Sequence, residues 1–224
     1  LPPRCAGRGA IVNADLQFCT ACWQSLALLS GRGCERCGTP VPSSIAICAP
    51  CLQAPPDHDG VFAVVAYGTL ARTIALKLKH GRKVGLAKLM AHLLLPRLPD
   101  EAGVLIPVPA HRWRILGRGF NQSALIAQHL SHASGLPVFL DALQRTRSTA
   151  MLRGANARER ARIVRGAFSV ARRFKSELTG RTVFLIDDVY TSGATANACA
   201  RALKRSGVRK VVVLCWARVV LDDA

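Results

Sequence analysis

Seven of the nine cysteines lie within the first 51 residues, and this cluster constrains the N-terminal part of the chain more than any other feature. Four of them form two C-x2-C pairs separated by ten residues: Cys34, Cys37, Cys48 and Cys51. Two residues between cysteines allow both thiolates of a tight turn to reach one ion, and two such turns complete the tetrahedron that zinc prefers. The spacing therefore predicts a structural zinc site, since four free thiols would leave this segment almost no core.

A third C-x2-C pair is formed by Cys19 and Cys22, and Cys5 precedes it by fourteen residues. The cysteine that would complete a second set of four belongs at position 8, where the chain has Arg8. One interpretation is a second zinc held by the three thiolates and by water or a distant donor such as His58. The other is a site without metal, which keeps its fold by packing of nearby apolar side chains.

The remaining cysteines and the hydropathy pattern indicate the cellular setting. Cys199 and Cys215 stand in periodic apolar surroundings and are predicted to be buried thiols. Dense cysteine pairs bind metal more often than they form disulfides where thiols stay reduced.

No apolar run approaches the roughly 20 residues of a membrane-spanning helix, because the longest, 86–98, contains Lys88 and His92. The first residues do not form a signal-peptide pattern, and we expect a cytoplasmic protein with no membrane span.

The net charge of +18 is unevenly distributed along the chain. Residues 1–60 hold four basic and four acidic side chains, whereas residues 61–224 hold 27 basic and nine acidic ones. A basic field of this size attracts polyanions such as nucleotide phosphates, pyrophosphate or nucleic acid. For any single Lys or Arg, an ordinary solvated surface position is the simpler interpretation. The neutral N-terminal segment argues against a zinc finger that reads a DNA groove.

The composition changes at residues 51–60, and the change predicts a cysteine-rich zinc-ribbon module at 1–55 and a second domain at 60–224. In the second domain, apolar strand-like runs alternate with helical patterns, which predicts an α/β fold with a parallel sheet and helices on both faces. The predicted strands are 61–67, 103–108, 182–186 and 211–216, and the predicted helices are 70–79, 84–95, 121–134 and 194–205. Asn121 is the predicted N-cap of the third helix.

The most informative segment is 183–195. Four apolar residues predict a buried strand, Asp187 and Asp188 follow at its C-terminal end, and a small hydroxyl-rich loop, 191–195, then opens a helix. Ligands of open α/β sheets bind at that end of the strands, and backbone N–H groups at a helix N-terminus suit a phosphate. Gly193 permits close approach of the backbone. Two carboxylates beside an anion site suit ribose hydroxyls and Mg²⁺; the alternative is an ordinary helix cap.

This segment resembles the phosphoribosyl pyrophosphate signature of type I phosphoribosyltransferases. Three further segments and the cysteine pairs extend the resemblance over nearly the whole chain to the ComF family, which includes proteins of natural competence. The resemblance implies a parallel-sheet, type I phosphoribosyltransferase-like domain preceded by a small zinc-ribbon module. The three segments are Pro107-Val108-Pro109 with Arg112, Arg118-Gly119-Phe120-Asn121-Gln122, and Arg165-Gly166-Ala167-Phe168.

For the site, the resemblance implies that the loop holds the 5-phosphate of phosphoribosyl pyrophosphate, bound with Mg²⁺, or of a nucleotide. Asp187 and Asp188 would hold the ribose hydroxyls and form the catalytic pair, and Arg112 would lie in the turn that faces pyrophosphate. Residues 145–165 would form a mobile hood over the ligand. The loop residues assigned to the phosphate are Thr191, Ser192, Gly193, Ala194 and Thr195.

Two functions are compatible with these assignments. The first is a binding protein for phosphoribosyl pyrophosphate in DNA uptake, with single-stranded DNA and competence proteins as partners. The alternative is an active phosphoribosyltransferase of nucleotide metabolism, in which glycosyl transfer releases pyrophosphate. The family usually has Pro-Gln where this chain has Met151-Leu152, and Asn where it has Ile163; this loss of polar groups from the hood favours binding over catalysis.

Single-stranded DNA would meet a basic surface rather than a row of aromatic side chains. The segment 145–175 carries ten basic residues against one acid, Glu159. The whole chain has only seven Phe, three Trp and two Tyr, so stacking positions for bases are few. We therefore expect any DNA binding to be non-specific and salt-sensitive. Besides that segment, the residues expected to contact DNA are Lys77, Lys79, Arg82 and Lys83.

Overall fold

The computed structural model describes residues 2–31, 33–80, 83–111, 115–117, 119–147 and 157–220. Five residues named above lie outside this part of the chain: Arg82, Arg112, Arg118, Met151 and Leu152. The helices and strands are, in order, α1 (Thr20–Gln24), α2 (Ala49–Gln53), β1 (Gly60–Ala66), α3 (Thr69–His80), α4 (Gly85–Leu94), β2 (Val104–Pro107), α5 (Gln122–Ser134), β3 (Leu143–Arg145), α6 (Ala157–Val164), β4 (Phe168–Val170), α7 (Lys175–Leu178), β5 (Thr182–Tyr190), α8 (Ala194–Arg205) and β6 (Lys210–Arg218).

The predicted parallel sheet with helices on both faces is confirmed. Four parallel strands lie in the order β1–β6–β5–β2. Successive residues of β5 alternate between two cores, as the pleat of a strand requires. Val183 and Leu185 pack with α8 on one face, and Phe184 and Ile186 pack with α3, α4 and α5 on the other. Both faces of β5 are therefore apolar, which explains its unbroken run of apolar residues.

The strand that carries the two aspartates is longer than predicted. Its pairing with β6 continues to Tyr190, which lies opposite Arg218. Asp187 and Asp188 are therefore strand residues, and the loop after them is only three residues long. Apolarity marks only the part of a strand that lies between two cores, so the polar end of β5 could not be recognised by hydropathy.

A second, two-stranded sheet was not predicted. β3 and β4 pair antiparallel over three residues each. Runs of three residues are too short to show the alternation that identifies a strand.

The predicted buried thiols are confirmed: Cys199 and Cys215 are fully buried in the core that includes α8.

The N-terminal module packs directly on the sheet. Residues 27–29 run antiparallel to β1, where Leu29 N–H donates to Val64 O (3.0 Å) and Ala66 N–H donates to Ala27 O (2.8 Å). These bonds satisfy backbone groups on the side of β1 that does not face β6. Leu26 is buried in the same core as α3 and α4. The module and the α/β domain therefore share both hydrogen bonds and apolar contacts.

None of the helices in the ranges given above is long and apolar enough to cross a membrane.

Candidate functional site

The predicted phosphate loop connects the end of β5 to the start of α8. Thr191 and Ser192 are exposed, and Gly193 is the N-cap of the twelve-residue helix α8. The first helical hydrogen bond runs from Asn197 N–H to Gly193 O (2.8 Å). Because a glycine N-cap has no side chain, it does not occupy the amide groups of the first helical turn. These groups can therefore donate to an anion at the carboxyl edge of the sheet.

Gly193 is required for two reasons, of which only one was anticipated. Its φ of 73° lies in the left-handed region that L side chains rarely adopt. A Cβ on Gly193 would also lie within van der Waals clash distance of Tyr190 Oη. In the free protein, the group that lies close to Gly193 is thus the ring of Tyr190. The sequence had instead predicted that a ligand would lie close to the Gly193 backbone.

Tyr190 anchors the start of the loop to buried residues. Its Oη lies 3.0 Å from His58 Nε2, and the guanidinium of Arg218 stands 5.5 Å from the centre of its ring. Arg218 also donates to the main-chain carbonyl of Cys37. Burial lowers the pKa of His58 to about 4, so its imidazole is neutral at pH 7. The structure does not place His58 with Cys5, Cys19 and Cys22, since its Nε2 pairs with Tyr190, so His58 does not complete a second zinc site.

Asp187 is held by a residue that the sequence did not indicate. Ser123 Oγ donates to Asp187 Oδ1 (3.2 Å) from the first turn of α5. Asn121 fixes that turn: its Oδ1 accepts from Ser123 N–H (3.1 Å), and its Nδ2 donates to Val108 O (3.0 Å). The predicted N-cap is confirmed. The Gly-Phe-Asn-Gln segment thus positions a hydroxyl against the first aspartate.

Asp188 forms an ion pair with the last turn of α3. Lys79 Nζ lies 2.6 Å from Asp188 Oδ2, and the Asp188 side chain is only 5% exposed. The neighbouring Lys77 donates to the carbonyl of Gly7. Both lysines were expected to contact DNA, but the structure engages them within the protein. Burial of an unpaired carboxylate costs free energy, and the ammonium of Lys79 offsets this cost. Nothing in the sequence around Lys79 indicates that it pairs with Asp188.

The pKa of Asp187 is raised to about 7, first by burial and then by the negative charge of Asp188. The ammonium of Lys79 acts in the opposite direction. This carboxyl can therefore gain or lose a proton near neutral pH, whereas an exposed aspartate would be ionised throughout that range.

The structure brings some of the predicted site residues together. A cavity of about 30 Å³ is lined by Asp187, by Tyr190 and by the loop 191–195. Asp188 does not line this cavity, since its carboxylate faces α3. The predicted pyrophosphate residue Arg112 and the hood residues 148–156 lie outside the described residues. Ile163 packs against the core, so an apolar contact replaces the polar group usual at that position.

The second group of cysteines has the geometry of a four-coordinate zinc site. The sulfurs of Cys34, Cys37, Cys48 and Cys51 all lie within 4.8 Å of one another. The sulfurs of Cys37 and Cys48 are 3.7 Å apart, and Zn–S bonds of about 2.3 Å at tetrahedral angles separate sulfurs by about 3.8 Å. This donor set fits zinc.

The first group of cysteines has only three members. The sulfurs of Cys5, Cys19 and Cys22 also lie within 4.8 Å of one another. Beside them, Arg8 Nε donates to Cys19 Sγ (3.2 Å). Within the part of the chain that the structure describes, no fourth Cys, His, Asp or Glu joins this group. A structural zinc site normally has four protein ligands, so the two groups are not equivalent.

Comparison with solved structures finds partial overlap with the glutamine phosphoribosylpyrophosphate (PRPP) amidotransferase from B. subtilis complexed with ADP and GMP. The TM-score is 0.41 and the identity is 22%, over 58% of this chain and 25% of that chain.

Sequence comparisons cover more of the chain. Residues 1–52 match the double zinc ribbon domain. The DNA utilization protein YhgH of Escherichia coli O157:H7 is 33% identical over 198 residues, which is 84% of each chain. Competence protein F of Haemophilus influenzae is 28% identical over 219 residues, which is 94% of each chain. Similarity at this level over most of both chains shows that this protein belongs to the ComF family.

Proposed function

We propose that this protein binds phosphoribosyl pyrophosphate, or a related ribose 5-phosphate, at the loop 191–195 and acts in the handling of DNA during uptake. The observation that carries the proposal is the N-terminus of α8, where the N-cap Gly193 offers no side-chain cap and the acidic end of β5 lies three residues before the helix. Helix N-termini of this kind bind phosphate through backbone N–H groups and the helix dipole. The names of the relatives, DNA utilization protein and Competence protein F, support the biological setting.

In the proposed complex, the 5-phosphate accepts hydrogen bonds from the first-turn amides of α8 and from the loop hydroxyls. Thr191 and Ser192 are exposed, whereas Thr195 is half-buried on the first turn of α8. The cavity of about 30 Å³ in the free protein has room for roughly one or two waters. A phosphate group would therefore require the exposed hydroxyl residues to move outward.

The two aspartates would have different roles. Asp187 lines the cavity and accepts a hydrogen bond from Ser123, and it would contact the ribose hydroxyls. Asp188 is neutralised by Lys79 in the free protein and would become available to Mg²⁺ or to ribose when that ion pair opens. Mg²⁺ suits this place because it binds through one or two carboxylates together with substrate phosphates. When bound, the ion would supply positive charge for the pyrophosphate. Arg112 remains the predicted pyrophosphate contact.

We assign a structural zinc ion to Cys34, Cys37, Cys48 and Cys51. The part of the module that contains these four cysteines, called the second ribbon, has little apolar material around the sulfurs, namely Val41 and Ile47. Metal coordination would therefore supply most of its folding free energy. Such thiolates persist in a reducing compartment, which fits a cytoplasmic protein.

Catalysis is the second candidate, and one observation favours it. The pKa of Asp187, at about 7, is that of a group able to accept a proton near neutral pH. In the reaction, the bond from ribose C1 to the pyrophosphate oxygen breaks, a nitrogen nucleophile bonds to C1, and the nitrogen loses its proton to a base. Pyrophosphate release that is lost in Asp187→Asn would identify the enzyme. Tight binding without release would identify the binding protein.

The proposed site predicts opposite effects of two variants on the free protein. Asp187→Asn should stabilise it at pH 8, because a buried negative charge beside Asp188 disappears. Asp188→Asn should destabilise it, because Lys79 loses its partner. The double variant should lose about 2–4 kcal/mol of affinity for phosphoribosyl pyrophosphate with Mg²⁺, since charge-assisted hydrogen bonds become neutral ones.

Melting curves with and without ligand, together with titration calorimetry, measure both effects. Asp100→Asn is the matched control, because Asp100 is exposed and lies outside the site. If the double variant binds the ligand as tightly as the wild type, the assignment of the aspartates is wrong.

Asp187 also predicts a dependence of stability on pH. Its pKa is 3.8 in ordinary surroundings and about 7 in the folded protein. Between these values the folded state holds the Asp187 proton more tightly than the unfolded state, so the contribution of Asp187 to the free energy of unfolding falls as pH rises. One proton contributes at most about 1.4 kcal/mol per pH unit.

Urea unfolding between pH 4.5 and 8 measures this slope. Asp187→Asn should remove part of the decrease, whereas Asp100→Asn should leave it unchanged. Identical slopes for the wild type and Asp187→Asn would contradict the raised pKa.

The basic surface around β3, β4 and α7 is the proposed contact for single-stranded DNA. The guanidinium of Arg145 lies 5.6 Å from the ring centre of Phe168, and that of Arg173 lies 4.9 Å from the ring centre of Phe174. Phe174 in turn stacks on Phe139 at 5.3 Å. Further along the same surface segment, Arg162, Arg165, Arg172 and Lys175 are exposed. Guanidinium groups held on aromatic rings present a fixed positive face to phosphates.

Replacing Arg165, Arg172 and Lys175 by Gln should weaken binding of single-stranded DNA and reduce its salt dependence. Each lost phosphate contact lowers the slope of log K against log salt by roughly 0.7, so three contacts remove about 2. Fluorescence anisotropy with a labelled oligonucleotide over a salt series measures the slope. The charge-matched control replaces three exposed residues elsewhere by Gln, namely Arg72, Lys88 and Arg205. Equal slopes in both variants would show that only net charge matters.

A further inference from the structure

The N-terminal module contains two ribbons: the first holds Cys5, Cys19 and Cys22, and the second holds Cys34, Cys37, Cys48 and Cys51. They are structural repeats of one another, 29 positions apart. Two backbone bridges close corresponding turns, and the hydrogen bonds inside the turns also correspond. The bridges are Arg4–Ile11 and Gly33–Pro40. The hydrogen bonds are Cys5 N–H to Ala10 O (2.7 Å) with Cys34 N–H to Thr39 O (2.7 Å), and Ala6 N–H to Gln17 O (3.3 Å) with Glu35 N–H to Ala46 O (2.9 Å).

The cysteines follow the same repeat. Cys19 and Cys48 are the N-caps of α1 and α2, which occupy corresponding positions. Their backbone N–H groups donate to the sulfurs of Cys5 (3.2 Å) and Cys34 (3.4 Å). Cys22 and Cys51 complete the correspondence one turn later. The fourth pair of equivalent positions holds Arg8 in the first ribbon and Cys37 in the second.

Arg8 and Cys37, which occupy equivalent positions, each contact the equivalent cysteine sulfur of their own ribbon. In the second ribbon, Cys37 Sγ lies 3.7 Å from Cys48 Sγ. In the first ribbon, Arg8 Nε lies 3.2 Å from Cys19 Sγ, which is the equivalent sulfur. The guanidinium thus contacts the sulfur that a cysteine at position 8 would neighbour. It carries a permanent positive charge and only donors, so it cannot be a zinc ligand.

We infer that Arg8 closes the first ribbon in place of a metal ion, so that the chain holds one zinc, in the second ribbon. The Arg8 guanidinium hydrogen-bonds the Cys19 sulfur and supplies the positive charge that zinc supplies to the second group of thiols. A dication would have to displace this cation from the three-thiol group or remain beside it against electrostatic repulsion. The first ribbon therefore departs from the double zinc ribbon domain that residues 1–52 match.

Differences in packing between the ribbons support this inference independently. The second ribbon has a small apolar cluster of its own, built around its cysteines. The first ribbon instead places Ala6, Leu16, Phe18 and Leu26 against the large core of the α/β domain. Phe18 stacks on Trp216 at 6.4 Å. A segment with this much apolar contact to the sheet can stay folded without metal coordination.

The decisive test is to restore the missing sulfur. The wild type, Arg8→Cys and Arg4→Cys are loaded with zinc, treated with a chelator, desalted and assayed for zinc per chain. We expect about one zinc in the wild type and about two in Arg8→Cys, since the latter then has four thiolates. Arg4→Cys, the control, adds a cysteine at a non-ligand position of the same ribbon and should keep one. Two chelator-resistant zinc ions in the wild type, or one in folded Arg8→Cys, would overturn the inference.

Alkylation of the wild-type protein gives a second readout that does not depend on any variant. Cys19 is half-buried rather than fully buried, so a small alkylating reagent can reach it. Added zinc should leave the alkylation rate of Cys19 unchanged while it protects Cys37, the half-buried cysteine of the second ribbon. Peptide mass spectrometry at a series of times measures both rates. Protection of Cys19 by zinc would show that the first ribbon binds the metal.

Discussion

The site depends on the parallel pairing of β5 with β6, which continues to Tyr190 and Arg218 beyond the apolar part of both strands. This extension keeps Asp187, Asp188 and Tyr190 in extended backbone and leaves three residues to reach α8. The short connection requires the left-handed conformation that Gly193 adopts. Arg218, at the end of the partner strand, then connects the ring of Tyr190 to the carbonyl of Cys37. One register of hydrogen bonds thus positions the acidic residues, the loop and the second ribbon together.

A balance of charges in the free protein explains how two adjacent aspartates are tolerated at the strand end. Asp188 is paired with Lys79, while Asp187 keeps a proton more readily than an ordinary carboxyl because it is buried beside Asp188. Ser123 satisfies one oxygen of Asp187 with a neutral hydrogen bond. The free site therefore carries less negative charge than its sequence suggests. A ligand that brings hydroxyl groups and a cation would favour the ionised form that the free protein disfavours.

The features that the sequence predicted are those with a local cause. Cysteine spacing, the N-cap at Asn121 and the helix after Gly193 follow from a few consecutive residues. The contacts of Ser123 and Lys79 could not be predicted, because they join α5 and α3 to β5 over 64 and 109 positions, and the helix patterns say nothing about which polar residue faces the strand. The same holds for His58, which meets Tyr190 across 132 positions. The absence of a cysteine at position 8 was visible, but the hydrogen bond of Arg8 to Cys19 was not.

The backbone contacts of residues 27–29 determine how the protein can be divided. Without them, the N–H and C=O groups of Val64 and Ala66 that now pair with this segment would be open to solvent. Unpaired strand edges of this kind join with one another between molecules. A shortened chain that starts at β1 would therefore lose His58, the hydrogen-bond partner of Tyr190, and would have a strong tendency to aggregate. The N-terminal module therefore covers the edge of the sheet at β1, and this role is separate from any metal that it holds.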